Sequence, residues 1–154
     1  MGEEDDQNRH DRQLGEMLQE TRVAMPGVQV LFAFLLAVPF QQRFEETTSF
    51  QRDMYLATVL LAAAATISFI APSAYHRVQF ERHDKKHLIQ VGNRFLIAGF
   101  AFLALAMTCA VTLVCDVMFR STTLAIVVPL LAIAFAWTWF GYPLSRRLRG
   151  ERPL

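Results

Sequence analysis

Three histidines stand between the second and third apolar stretches of the chain: His76, His83 and His87. His83 and His87 are four residues apart, which places two imidazoles on one face of a helix, a spacing that zinc sites use. A zinc site also needs a further ligand and a dry pocket, and the sequence guarantees neither, so we predict no metal ion. Because imidazole titrates near neutral pH, the three histidines are candidates for pH sensing, with solvated surface histidines as the alternative.

Polar side chains in or beside the apolar stretches are few, and they bear on transport. Gln29 is the one strongly hydrogen-bonding side chain in the first stretch, and Asp116 is an acid at the end of the third. We expect Gln29, Gln41 and Asp116 to be candidates for lining a polar path. Two alternatives stay open: Gln29 as a hydrogen bond between helices, and Asp116 as the partner of Arg120.

A second polar group is expected at the helix ends that face the cytoplasm: Glu20, Arg22, His76, Arg77, Asn93 and Arg94. At that depth water only partly solvates a charge, so a lone ion is penalised and opposite charges are expected to pair. We predict ion pairs from Glu20 to Arg22, Arg77 or Arg94. Such a network would either clamp the helix ends or form an ion vestibule.

Enzymatic chemistry is not indicated by the sequence. It contains no nucleophile-elbow, phosphate-loop or zinc-protease motif. Cys109 and Cys115 are six residues apart and belong to no CxxC pair, so we expect small apolar core residues rather than a disulfide or metal site. We therefore predict no catalytic residue and no cofactor. A membrane enzyme would need a pocket around His76, Arg77 and Arg94.

The elements that hold these side chains follow from the distribution of charge along the 154 residues. Only 19% of residues are charged, against about 25% in soluble domains, which argues against disordered, nucleic-acid-binding and disulfide-rich secreted proteins. Four charge-free stretches approach or exceed the roughly 20 residues that span a bilayer, and none shows the polar face of a soluble bundle helix. We predict an all-α polytopic membrane protein with four transmembrane helices at about 24–42, 54–71, 94–116 and 121–144.

The flanking segments predict orientation and domain limits. Lys and Arg concentrate in the N-terminal segment, the loop between spans two and three and the C-terminal tail, so both termini are predicted to be cytoplasmic. Residues 1–13 are predicted to be a polar mobile tail, 14–145 the four-helix domain and 146–154 a basic tail. Apolar residues recur on one face of 14–25, which favours an N-terminal amphipathic interfacial helix ending at Pro26-Gly27. The alternative is a first helix that continues through Pro26.

Several segments carry a resemblance to a known family: LGEMLQETRVAMPGVQVLFAFLLAVPFQQRF at 14–44, FQRDMYLATVLLAAAA, IAPSAYHR, and the NR-x-x-IAG pattern at 93–99. Over about 14–145 the chain resembles small four-span membrane proteins of actinobacteria, a family of unknown function. The resemblance implies four spans in a prokaryotic cytoplasmic membrane and little about activity. Some members carry an automatic sodium:proton antiporter label, against which the missing mid-membrane carboxylates argue.

Short loops, absent catalytic motifs and polar side chains near the span ends favour ion movement. A single bundle of this size has no room for a wide pore, so a path would form between copies around a symmetry axis. We expect a homo-oligomer that moves monovalent cations or protons across a prokaryotic cytoplasmic membrane. Its expected partners are lipid, further copies and those ions, and not nucleic acid. The alternative is a non-transporting scaffold or regulatory subunit of a larger complex.

Overall fold

The computed structural model describes residues 2–78, 85–118 and 122–141, and in these ranges the chain is helical apart from short connecting turns. The four α-helices are α1 (Gly2–Ala37), α2 (Ser49–Val78), α3 (Lys85–Met118) and α4 (Thr122–Phe135). Two 3₁₀ turns, Val38–Phe40 and Gln42–Glu46, connect α1 to α2, and a π-helical turn, Ala136–Gly141, continues α4. The prediction of an all-α fold is confirmed.

Three helical segments are long and apolar enough to cross a membrane: Gly15–Phe40, Ser49–Tyr75 and Ile89–Met118. A further apolar segment of the described chain, Val127–Trp139, is shorter than a bilayer crossing requires. The predicted fourth span extends to residue 144, and its last residues lie outside the described ranges. The structure thus supports a membrane protein with three long apolar helices and a shorter one, while the fourth span and the orientation stay predictions.

Large apolar side chains lie on the surface of the helices, and small residues fill much of the interior. Phe34 is 71% exposed and Leu60 is 60% exposed. The buried small residues include Thr58, Ala62, Ala65, Ser68, Ala104, Ala106 and Thr112. An apolar surface of this extent is unfavourable in water, whereas in lipid small residues are used between helices because they let the backbones approach closely. Lipid is therefore the solvent that this arrangement fits.

The first helix runs without a break through Pro26. The structure therefore has the continuous helix and not a separate interfacial helix ending at Pro26-Gly27. Residues 2–13, for which we predicted a polar mobile tail, belong to the same helix. The physical reason for continuity is that proline removes one backbone hydrogen bond, whereas ending the helix in lipid would leave several backbone groups without partners.

Among the described helices the most extensive packing is between α2 and α3, and the ring of Phe69 is buried in the core there. Phe69 is fully buried and lies directly against Gly99, where an added Cβ would be 2.8 Å from the ring Cε1. The ring makes a T-shaped contact with Phe100, with centroids 5.1 Å apart. Phe100 in turn contacts Trp139 of the π-helical turn at 5.6 Å, so one aromatic series links α2, α3 and the end of α4.

Candidate functional site

We call the end of the bundle at which α1 and α3 begin the proximal end, and the opposite end the distal end. At the proximal end α1 and α3 leave a depression between them, here named the proximal groove. It consists of two pockets of about 540 and 330 Å³, both lined by Glu16 and Glu20. The remaining lining residues are Gln13, Met17, Gln19, Val23 and Ala24 of α1 and Ile89, Gln90, Asn93, Leu96 and Phe100 of α3.

The proximal groove changes from polar to apolar along its length. Toward the proximal end it is lined by amide side chains, including Asn93, together with the two carboxylates. About one turn further along the helices Val23 and Phe100 line it. The candidate membrane segments begin at Gly15 and Ile89, so the polar part of the groove lies near the starts of these segments and the apolar part lies further along them.

Charge at the groove is only partly paired. Arg12 Nε donates to Glu16 Oε1 at 3.0 Å, in a pair whose side chains are 82% and 61% exposed. Glu20 forms no ion pair among the side chains that the structure describes, and Asn93 lies in the same pocket. Residues two apart on a helix do not face each other, which explains why Glu20 does not reach its neighbour at i+2. The arginines predicted to pair with Glu20 are all exposed: Arg22, Arg77 and Arg94. That these residues act as one network stays a prediction.

The three histidines are located only by element. His76 lies in α2 and His87 in α3, with side chains that are not described, and His83 falls outside the described ranges. Within the described part of the chain, no three His, Cys, Asp or Glu side chains are grouped so that they could hold a metal ion. The pH-sensing role of the histidines stays a prediction.

No hydrogen bond joins the three residues predicted to line a polar path, among the side chains that the structure describes, so the path stays a prediction. Gln29 and Gln41 are exposed, on α1 and just after it, whereas Asp116 is half-buried at the distal end of α3. The hydroxyl groups between the helices do not extend a path, because each donates at 2.7–2.9 Å to the carbonyl four residues earlier in its own helix: Thr58, Thr66, Ser68, Thr108 and Thr112. These groups are satisfied locally, as lipid requires.

Gln51 joins α2 to α3 at the distal end, a contact that sequence reasoning missed. Its side-chain Oε1 accepts from the Thr48 backbone N–H at 3.0 Å, and its own N–H donates to Thr48 Oγ1 at 3.3 Å. This reciprocal pair is a capping box that starts α2. Its Nε2 donates to Asp116 Oδ2 at 2.9 Å. The Thr-x-x-Gln pattern before an apolar run could have indicated the cap, but nothing in the sequence indicates Asp116 as the partner.

A second distal contact satisfies a backbone carbonyl that proline leaves without its usual donor. The carbonyl of Leu35 would accept from the backbone N–H four residues later, but that residue is Pro39, which has none. The Tyr55 hydroxyl donates to this carbonyl at 3.0 Å, and its ring packs against Phe44 with centroids 5.3 Å apart. Polar contacts therefore hold the distal ends of the first three helices together, whereas the proximal end keeps an open groove between α1 and α3.

Gln51→Glu is expected to lower the free energy of unfolding by about 1–2 kcal/mol at neutral pH. Glutamate keeps the acceptor of the capping box but places a second carboxylate beside Asp116. The loss is measured by denaturant unfolding in detergent, followed by far-UV circular dichroism. Adding Asp116→Asn restores a donor beside the new carboxylate and should recover most of the stability, while Gln42→Glu, at an exposed position, is the control. A double variant as unstable as the single one would contradict the contact.

A family model matches residues 3–143, which include most of the described chain, both walls of the proximal groove and the Gln51–Asp116 contact. The chain belongs to the DUF6328 family. This is a family of unknown function, so the resemblance is confirmed to that extent. No curated protein and no solved structure matches the chain. What this DUF6328 member does is therefore argued from its own geometry.

Proposed function

We propose that this chain is a self-associating membrane protein whose copies meet along the uncovered face of α1. The observation that carries the proposal is Gln29, which is exposed near the middle of the segment Gly15–Phe40. No hydrogen bond to its amide comes from the described residues, although Val28 beside it is fully buried. A primary amide in contact with hydrocarbon is unfavourable without a hydrogen-bond partner, so a second helix is the arrangement that stabilises it.

The chemistry of Gln29 favours a second copy of the same chain as the source of that helix. A primary amide both donates and accepts, so two Gln29 side chains related by a two-fold axis can satisfy each other. A small residue, Ala33, stands four residues after Gln29 on the same exposed side of α1. Small residues let helix backbones approach closely, as a hydrogen bond between short amide side chains requires.

The activity proposed for the assembled protein is movement of monovalent cations or protons along the interface between copies. Within one copy the described interior hydroxyls are bonded inside their own helices, so they offer no chain of free polar groups. Gln29 is the proposed lining residue at mid-depth, with Gln41 and Asp116 nearer the distal end. The distribution of Lys and Arg supports an orientation with both ends inside, and the family resemblance implies a prokaryotic cytoplasmic membrane. We propose no enzymatic activity, because the sequence holds no catalytic motif.

Gln29→Leu is expected to raise the dissociation constant between copies by about five- to tenfold, because leucine keeps the side-chain size and removes the amide hydrogen bonds. The constant is measured by dilution in detergent or lipid, with the association followed by energy transfer between labelled copies. Gln42→Leu makes the same chemical change outside the membrane segments and should leave association unchanged. Wild-type protein that stays monomeric at high concentration in lipid would overturn the association.

Cation movement is tested separately with purified protein in liposomes. The expected result is flux of Na⁺, K⁺ or H⁺ that falls in Gln29→Leu in proportion to the loss of association. Absence of flux from the wild-type protein between pH 5 and pH 8 would overturn the transport part of the proposal and leave the association standing.

The alternative function is a non-transporting scaffold or regulatory subunit. The locally satisfied hydroxyls of Thr58, Thr108 and Thr112 favour it, because a helix bundle with an apolar interior serves packing rather than conduction. Repeated recovery of one larger membrane partner, together with absent flux, would support this alternative over cation movement.

A further inference from the structure

The last described part of the chain lies beside the proximal groove. In the π-helical turn, the ring centroid of Trp139 is 5.6 Å from that of Phe100, and Phe100 lines the larger pocket of the groove together with Val23 of α1. Trp139 also makes a T-shaped contact with Phe135, at 5.0 Å, so the turn is held against α3 by stacked rings. Gly141 is the last described residue, and the segment that follows it therefore starts within reach of the groove.

The direction of α4 leads the chain toward the proximal end. α3 runs from the proximal to the distal end, and α4 begins a few residues after α3 ends. Because the turn at the end of α4 contacts Phe100, midway along α3, α4 runs back along α3 toward the proximal end. The chain beyond the turn therefore continues toward the level of Glu20 and Glu16, which lie nearer the proximal end than Ala24 does.

We propose that the C-terminal segment of the chain, residues 142–154, occupies the proximal groove of the same copy, with its arginines beside Glu20 and Glu16. This segment lies outside the described ranges. It contains four arginines and one acidic side chain: Arg146, Arg147, Arg149, Arg152 and Glu151. Guanidinium groups form strong, paired hydrogen bonds with carboxylates, and both carboxylates line both pockets of the groove. The contact lies within one copy, so it stands or falls apart from the association proposed at Gln29.

The order of groups along the segment matches the order along the groove. Outward from the π-helical turn the sequence has an apolar side chain, Leu144, and then the first arginine, Arg146. Outward from its apolar half the groove has Val23 and then the carboxylate of Glu20. An apolar group therefore meets the apolar half, and a positive charge meets a negative one, when the chain simply continues in the direction of α4.

The length of the segment also fits. The π-helical turn and Ala24 both border the ring of Phe100, so they are at a similar level along the bundle. Glu20 and Glu16 are about 6 and 12 Å nearer the proximal end, at 1.5 Å per helical residue. Arg146 follows the turn by five residues, which is about 8 Å in an α-helix and more in an extended conformation. The first arginines of the segment can therefore reach both carboxylates.

Glu20 is expected to be the main partner of these arginines. Arg12 Nε already donates to Glu16 Oε1 at 3.0 Å, so an arginine of the segment competes with Arg12 there. Arg22 is exposed and two residues from Glu20, so it faces another side of α1. Because the groove is open, salt screens the pairing, and the contact should weaken at high ionic strength.

The test is disulfide formation in the full chain, reconstituted in phosphatidylcholine liposomes. Gln19→Cys and Ser145→Cys place one thiol in the larger pocket and one in the segment without altering a charge. Cys109→Ala and Cys115→Ala remove the native thiols. Mild oxidation is expected to link the two introduced thiols within one copy, and peptide mass spectrometry identifies the product. Mixing isotopically labelled and unlabelled copies distinguishes a link within a copy from a link between copies.

A matched control and two charge variants separate the proposed contact from chance collisions. Arg22→Cys in place of Gln19→Cys puts the thiol on the same helix outside the groove, and it should give about fivefold less product. Adding Glu20→Gln to the Gln19→Cys and Ser145→Cys pair should lower the yield about threefold. Glu20→Arg should lower it further, and Arg146→Glu should restore part of that loss. Far-UV circular dichroism checks that each variant is helical.

Four results would overturn the proposal. The first two are an equal yield from the Arg22→Cys control and a yield that Glu20→Gln does not change. The third is a product that links only different copies. The fourth is loss of the link in an equimolar mixture of phosphatidylcholine and phosphatidylglycerol, which would assign the segment to the anionic membrane surface instead of the groove.

Discussion

We expect Phe69→Ala to lower the free energy of unfolding by about 2–3 kcal/mol, the largest effect of any single substitution considered for this chain. Phe69 is fully buried, and its ring contacts Phe100 and Gly99. In a soluble protein the loss would be about 3–5 kcal/mol. In a membrane the side chain of Phe69 is surrounded by lipid when the helices separate, so most of the free energy of transfer from water does not contribute. The expected loss is therefore mainly the lost packing between the helices.

The measurement is denaturant unfolding in detergent, followed by far-UV circular dichroism. Phe34→Ala is the matched control, because it removes the same side chain at a position that is 71% exposed. The control should change the free energy of unfolding by only a few tenths of a kcal/mol. Because Phe100 also contacts Trp139, Phe69→Ala should shift the tryptophan emission as well, and Phe34→Ala should not. Equal losses of stability in the two variants would contradict the assigned core.

Gly99→Ala is expected to lower the free energy of unfolding by about 1–2 kcal/mol, although alanine is the better helix former. The new Cβ would be 2.8 Å from Phe69 Cε1, and a buried ring cannot move aside without disturbing Phe100. Gly92 differs, because its new Cβ would meet the flexible end of Met17 at 2.7 Å. Gly92→Ala should therefore have a smaller effect.

The control for Gly99→Ala is Gly27→Ala, since a Cβ at Gly27 would have no atom within 4 Å. This control should be neutral or slightly stabilising, because alanine is favoured in helices. Combining Gly99→Ala with Phe69→Leu gives the new methyl group room. The double variant should therefore be more stable than the sum of the two single losses predicts. Strict additivity of the two losses would contradict the close approach of Gly99 to Phe69.

The helical class and the apolar segments were predictable because they depend on properties local in the chain. Runs without charge indicated helices in lipid, and the structure has long apolar helices at three of the four predicted positions. The start of α2 was also readable, since Thr48 and Gln51 form a capping box with a sequence signature. Whether the helix ends or continues at Pro26 was ambiguous. The outcome depends on whether water or lipid surrounds the proline, and the order of residues does not specify which.

The contacts between helices were not predictable in the same way. In water the polar face of a helix indicates which side is exposed, but in lipid both sides are apolar and the pattern loses this information. Val28 and Gln29 are neighbours in the chain, yet the first is fully buried and the second is exposed. If α1 were rotated about its axis by one residue, Gln29 would be buried and Val28 would be exposed. The hydropathy of the sequence would not distinguish this arrangement from the observed one.

The partners of polar groups show the same limit. Asp116 was considered with Arg120, which lies outside the described residues, and the structure adds a partner that the sequence did not indicate: Gln51, 65 residues away in sequence. Glu20 was expected to pair with arginines, which stays a prediction, and nothing in the sequence indicated the groove that it lines with Asn93 and Phe100. Residue order thus specified where the chain is helical and that lipid surrounds it, since hydropathy and backbone hydrogen bonding act locally. The tertiary structure decided which side of each helix faces a neighbour, and with it the groove and the Gln51–Asp116 contact. These features depend on packing between segments distant in sequence, where the shapes of side chains matter and the periodicity of charge gives little information.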